Sequence, residues 1–134
     1  MQVQPYLDFS GRCDEALEFY KKAIDAKVGM VMRWKDSPDK SMCTAENADK
    51  IMHSQFAVGD TTVMASDGRN TGKPNFSGMA LCITVDSEAK ADKLFNGLSE
   101  GGKVGMPMGK TFFAPRFGMV ADKFGVGWMI IVAH

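Results

Sequence analysis

Histidine is nearly absent from this chain of 134 residues: there are two, and only His53 lies in the interior of the sequence. Any acid–base step near neutral pH therefore has one imidazole available to it. Cysteine is also sparse. Cys13, Cys43 and Cys82 are odd in number and far apart, which excludes a paired disulfide framework and fits a reducing, cytoplasmic setting. An excess of charge of either sign is missing too, with 16 Lys plus Arg against 16 Asp plus Glu. Without a basic run there is no electrostatic footprint for nucleic acid, and no nucleic-acid partner is expected. No apolar run approaches the roughly 20 residues a membrane span needs, so no membrane partner is expected either. The opening MQVQPYL has no charged segment followed by an apolar one, and no signal peptide is expected.

What is present is apolar and punctuated. Hydrophobic residues make up 45% of the chain and eleven are methionine, enough for one compact domain over residues 1–134 with a real core. Methionine fills irregular core space and lines adaptable pockets.

The stretch from Tyr6 to Met30 reads as strand, helix, strand. Leu7 and Phe9 share one face of the first strand, and Gln4, Tyr6 and Asp8 share the other. A helix over about 12–26 follows, with Asp14 and Glu15 in its first turn and apolar residues at helical spacing. Val28–Lys35 returns as a strand, and the polar stretch 36–49 is a loop. Lys50–Val58 and Thr61–Ser66 form a hairpin about Gly59-Asp60. Alternation there puts Met52, Phe56 and Val58 on one face, with His53 and Gln55 on the other. The plan then repeats. Gly78–Val85 is a strand, Asp86 or Ser87 caps a helix ending near Gly101-Gly102, and three strands follow, of which the last places Trp128 and Ile130 in the core. The tetrapeptide Lys27-Val28-Gly29-Met30 recurs as Lys103-Val104-Gly105-Met106, an offset of 76, and a shift of 66 lays the Gly59 turn on the Gly125 turn. The result is a twofold βαβββ repeat: a first module over about 1–67, a linker over 68–77 and a second module over about 78–134.

This plan resembles the vicinal oxygen chelate superfamily of glyoxalase I, bleomycin-resistance proteins and extradiol dioxygenases. PYLDFSGRCDEALEFYKKA, KIMHSQFAVGDTTVMASDG, GKPNFSGMALCITV and FFAPRFGMVADKFGVGWMI resemble its PhnB-like branch in particular. The resemblance implies an α+β fold in which two βαβββ modules form a paired open barrel around a cavity, helices outside, usually as a homodimer. It also implies a divalent metal held by His and Glu from the outer strands of each module. Carried onto this chain, those positions fall at Gln4, Met64, Ala80 and Met129. None is His, Glu or Asp, so neither the family's metal nor another cofactor is expected. The PhnB-like branch also carries a demethylubiquinone methyltransferase label. No Gly-rich strand-to-helix turn of the kind that holds a methyl donor is present, and that activity is not expected.

The expected ligand-binding set is Gln4, Tyr6, Asp8, His53, Gln55, Met64, Cys82, Phe113, Arg116 and Met129. Tyr6, Met64, Met129, Phe113 and Trp34 supply an adaptable apolar lining, and Gln4 and Asp8 supply polar points. A buried Asp8 needs a partner, with Arg33 and Arg116 as candidates. His53 is the candidate acid–base or hydrogen-bonding group, against a purely structural role. Cys13, at a helix start, is read as a semi-buried thiol rather than a thiolate nucleophile. Lys110 and Arg116 flank Phe112-Phe113 and suit an anionic or flat ligand, or else a solvated hairpin end. GMPMGKT is one residue short of a phosphate loop and lies in a strand region. The expected function is metal-free binding of a small aromatic or amphipathic molecule. The alternatives are a glyoxalase-like lyase or related enzyme with a non-standard metal site or with His53 as acid–base group, and a structural dimer.

Overall fold

The computed structural model describes residues 1–68 and 72–133. The chain divides into two compact units, Met1–Pro74 and Asn75–His134. In the first, β1 (Tyr6–Asp8), α1 (Cys13–Ile24), β2 (Lys27–Arg33), β3 (Ile51–Val58) and β4 (Thr61–Ser66) follow in order, with one turn of 3-10 helix at Trp34–Asp36. In the second, β5 (Leu81–Val85), α2 (Glu88–Ser99), β6 (Lys103–Gly109), β7 (Arg116–Ala121) and β8 (Gly127–Val132) repeat the plan. Each unit is a βαβββ module with a four-stranded sheet, ordered β1-β4-β3-β2 in one and β5-β8-β7-β6 in the other. First and last strands of each module pair in parallel, and the remaining pairs are antiparallel. The fold class implied by the repeat is the one observed. Of the expected linker 68–77, residues 69–71 lie outside the described residues, as does His134.

Each helix buries one stripe against its own sheet. On α1 these are Ala16, Leu17, Tyr20 and Ile24. They meet the face formed by Leu7, Phe9, Phe56, Val63 and Ala65, all buried. Tyr20 stacks on Phe56 at 5.4 Å between ring centroids and packs against Phe9 at 6.1 Å. On α2 the buried residues are Ala91, Phe95 and Leu98, and the sheet supplies Val120, Trp128, Ile130 and Val132. Burying each large side chain of this kind is worth about 1.5–3 kcal/mol. Ser87 caps α2, its hydroxyl accepting from the Lys90 amide at 3.2 Å. The cap of α1 comes from elsewhere in the chain.

Alternation slips at the start of β3. Arg33 pairs with Ile51 and Met32 with His53, so two residues of β3 advance against one of β2. Ile51, Ser54 and Phe56 take the helix side, and Met52 is only half-buried, contrary to the simple period-two expectation. The second hairpin also has a longer loop. Val58 faces Thr61 in the first, but Ala121 faces Gly127 in the second. The constant shift of 66 therefore fails, and the row Tyr6–Met64–Gln55 corresponds to Cys82–Met129–Met119.

Candidate functional site

In the first module, β1 pairs Tyr6 with Met64, and β3 pairs Gln55 with the same Met64. Their neighbours Leu7, Ala65 and Ser54 are all buried, so Tyr6, Met64 and Gln55 form one row on the face turned away from α1. His53, two residues from Gln55, joins this face: the Tyr6 and His53 rings lie 5.8 Å apart at 34°. Tyr6 is 50% exposed, and His53, Gln55, Met64 and Gln4 are half-buried. The sequence-derived positions in this module thus converge on a patch with two rings, one thioether and neutral hydrogen-bonding groups.

In the second module, Cys82 pairs with Met129, Met129 with Met119, and Met119 with Met106. Phe117, two residues from Met119, lies on the same face. Phe113 packs edge-on against it at 5.0 Å, and Phe112 packs against Phe113 at 5.2 Å. Phe112 itself is 99% exposed.

Three charged candidates are engaged by other partners. Arg116 points to the helix side, where its guanidinium grips both oxygens of Asp92 on α2 at 2.7 and 3.2 Å. It is two residues from Gly118 and four from the buried Val120, so geometry sets it opposite Met119. Asp8 is exposed, and its carboxylate accepts the Ser10 amide at 2.8 Å, a local turn bond, while the expected candidates Arg33 and Arg116 are bound to Asp14 and Asp92. Arg33 holds Asp14 through two 2.8 Å bonds and also donates to the Asp49 carbonyl. The bonds from Arg33 keep the Asp14 carboxyl below the ordinary range. Trp34 is half-buried, and its indole N–H has no hydrogen-bond partner among the described residues. A shallow hollow of about 390 Å³ at the end of β5, lined by Thr84, Val85, Asp86, Lys90 and Ala133, holds none of the candidate residues.

Cys13 is fully buried, with Sγ 3.8 Å from the Ser54 hydroxyl. Burial pushes its thiol up to about 12, outweighing the Ser54 contact, which acts the other way. The residue that governs this corner is Asp67, which local patterning assigns only to a turn-rich stretch. It is fully buried. One carboxylate oxygen accepts the amides of Gly11 and Cys13, each at 2.8 Å, and the other accepts the Ile51 amide at 2.8 Å. Arg12, at the N-cap position of α1, gives no side-chain cap, and Asp67 takes that part from 54 residues away. A hydrophobic run ending in Ser-Asp-Gly is the sole local trace of it.

The family model described as 3-demethylubiquinone-9 3-methyltransferase matches residues 1–131. The chain belongs to this PhnB-like family. Protein YjdN of Escherichia coli (strain K12) is 31% identical over 140 residues, covering 98% of this chain and 95% of YjdN. The crystal structure of protein PA1353 from Pseudomonas aeruginosa is 41% identical with a TM-score of 0.87, covering 98% of this chain and 97% of that one. The PhnB protein of Bacillus cereus is 25% identical with a TM-score of 0.81, covering 99% and 100%. The fold alone is shared with a glyoxylase/bleomycin resistance protein/dioxygenase domain from Frankia sp. EAN1pec, 15% identical with a TM-score of 0.63 over 100% of this chain and 93% of that one.

The groups that this PhnB-like membership implies can be tested against the residues present. The superfamily's divalent metal would fall to Gln4, Met64, Ala80 and Met129. One amide, two thioethers and a methyl group do not fit a hard divalent ion. Among the described residues, no three His, Cys, Asp or Glu side chains converge. A methyl donor of the dinucleotide-fold type would need a free helix N-terminus after a glycine-rich turn. Here no glycine-rich turn opens either helix, Asp67 already takes the Cys13 amide at the start of α1 and Ser87 takes the Lys90 amide at the start of α2, so that group does not fit either. Among the described residues, no helix is long and apolar enough to cross a membrane.

Proposed function

We propose that this PhnB-like protein binds a small aromatic or amphipathic molecule against the sheet faces turned away from its helices, with no chelated divalent metal and no other cofactor. The Tyr6–His53 pair over Met64 and Gln55 carries the reading. An exposed ring, a polarisable thioether and two neutral hydrogen-bonding side chains in adjacent positions suit a flat ligand with a polar edge. Gln4 and Asp8 offer polar groups beside them. In the second module, taken by itself, Cys82, Met129 and Phe113 are the corresponding contacts. Arg116 is left out because its charge is engaged by Asp92. The working compartment is the reducing cytoplasm, where the Cys82 thiol stays free.

A thermal-shift screen of aromatic and amphipathic metabolites tests this, since only a ligand of the folded state stabilises it. A ligand at 100 times its Kd adds about 2.7 kcal/mol of stability. Tyr6→Ala and His53→Ala are expected to abolish the shift while leaving the unliganded melting temperature nearly unchanged. A ligand that stabilises both variants as well as the parent would overturn the reading. The enzymatic alternative rests on the same His53: turnover of the bound compound, lost in His53→Ala with binding retained, would make it the acid–base group of a lyase.

A further inference from the structure

The sulfur atoms of the second module are gathered into one line. Strand register sets Cys82 beside Met129, Met129 beside Met119 and Met119 beside Met106, one residue from each of the four strands. All four share the face turned away from α2, because the alternate residues Val120, Trp128 and Ile130 are buried on the other side. Directly opposed residues have Cβ atoms about 4.5–5.5 Å apart. A methionine sulfur sits on an unbranched chain with three rotatable bonds, so adjacent sulfurs can close on one ion without backbone movement. Met106 is 43% exposed, Met119 37%, Cys82 is exposed and Met129 half-buried.

Two observations separate this row from ordinary apolar filling. Met108, in the same strand as Met106, packs on the helix side, at the place where a Cβ on Gly118 would meet its sulfur and the Phe95 ring. The corresponding row of the first module, Tyr6–Met64–Gln55 with Met30 in the place of Met106, holds two sulfurs instead of four. The fold therefore does not require sulfur at the Cys82 and Met119 positions. The row contains no carboxylate, imidazole or amide. A hard divalent ion finds no oxygen ligand there, whereas neutral thioethers and one thiol suit a soft monovalent ion.

We propose that the row Cys82–Met129–Met119–Met106 is a binding site for Cu(I), with Met119 and Met129 as the principal ligands and Cys82 and Met106 flanking them. The proposal stands on the sulfur of the second module: Cys82 and Met129 are shared with the organic ligand proposed above, and Met119 and Met106 belong to the Cu(I) row alone.

The test is competition for Cu(I), kept reduced with ascorbate, between the protein and the chromogenic chelator bicinchoninate. Cys43→Ser protein serves as the parent, which removes the half-buried thiol elsewhere in the chain. The parent is expected to withdraw about one equivalent, and Met119→Leu/Met129→Leu to weaken binding about tenfold or more. Leucine keeps the volume and apolarity of both positions, so a loss of Cu(I) reports the sulfur atoms and not the packing. If the double variant takes up Cu(I) as the parent does, the proposal is overturned. If it fails to fold, the unsubstituted protein still decides. On titration with Ag(I), a redox-silent stand-in, the ε-methyl resonances of Met106, Met119 and Met129 should move while those of Met64 and Met108 stay. Stationary resonances from all three would overturn the proposal.

Discussion

A single buried carboxylate decides whether the first module's corner holds together. Asp67 accepts amides from Gly11, Cys13 and Ile51, tying a helix start, a strand start and its own strand end into one node. Removing it strands three donors inside the protein, each costing about 1–3 kcal/mol if left unpaired. Asp67→Ala is expected to lower stability by about 3–5 kcal/mol and Asp67→Asn by less, because an amide oxygen still serves two of the donors. Urea midpoints check this; a change within about 0.5 kcal/mol for Asp67→Ala, the size of an ordinary surface substitution, would remove Asp67 from that role. Its neighbour Cys13 gives a pH signature. Burial raises the thiol from 9.0 to about 12 in the folded protein, so the folded state holds this proton more tightly than the unfolded chain. The resulting stabilisation is complete below pH 9 and is lost as pH climbs towards about 12. Over that window the urea midpoint of the parent should fall more steeply than that of Cys13→Ala, and parallel curves would contradict the assignment. In the folded protein at mildly alkaline pH, a thiol reagent should label Cys82 and spare Cys13 until unfolding.

Among the elements, the repeated tetrapeptide carries the same irregularity twice. Register slips after Val28 in β2 and after Val104 in β6, next to Gly29 and Gly105. A bulge there bends the strand and strengthens its twist. Both bulged strands lie at a sheet edge, where a bulge also discourages unwanted pairing. Glycines nearby differ in what they permit. A Cβ at Gly102 would sit 2.3 Å from the Ala121 carbonyl oxygen, whereas one at Gly105 would meet nothing closer than 3.6 Å. Gly102→Ala is therefore expected to cost about 2 kcal/mol or more and Gly105→Ala less than about 0.5 kcal/mol, measured by urea unfolding. Equal effects would show that this backbone approach is not what constrains Gly102. The order of the elements was legible from the chain, because each module alternates apolar runs with helical periodicity and the Lys-Val-Gly-Met echo marks the same point in both. The Tyr6, Gln55 and His53 face was legible from period-two alternation. Asp67 was not, since its partners lie 16, 54 and 56 residues away and a local pattern registers only the turn around it. Nor was the direction of Arg116 visible: the Lys-Thr-Phe-Phe-Ala-Pro-Arg segment looks like a ligand rim, and only the placement of Asp92 on α2 turns that side chain to the helix side.

For the molecule as a whole, the positions to which the resemblance assigns a divalent ion carry Gln4, Met64, Ala80 and Met129. Elemental analysis of protein purified without chelator should find no stoichiometric divalent ion; a full-occupancy zinc, manganese or nickel ion held by side chains would overturn the metal-free reading. Apolar residues on the edge strands, Met30 and Val31 in β2 and Val104 and Met106 in β6, are exposed. With the exposed Phe112 they are the apolar surface on which we propose that two copies associate. Sedimentation equilibrium is expected to return twice the 14.6 kDa chain mass, and a monomer across the micromolar range would rule the dimer out. The closure of the first module also sets an order on its manufacture. Its first strand pairs in parallel with its last, Tyr6 to Met64 and Asp8 to Ser66, and the helix between them is capped by Asp67. A nascent chain threading out of the ribosome N-terminus first cannot seat β1 or finish the first turn of α1 until residue 67 has emerged. The first strand must wait, without its sheet partner, until the chain has been made as far as residue 67.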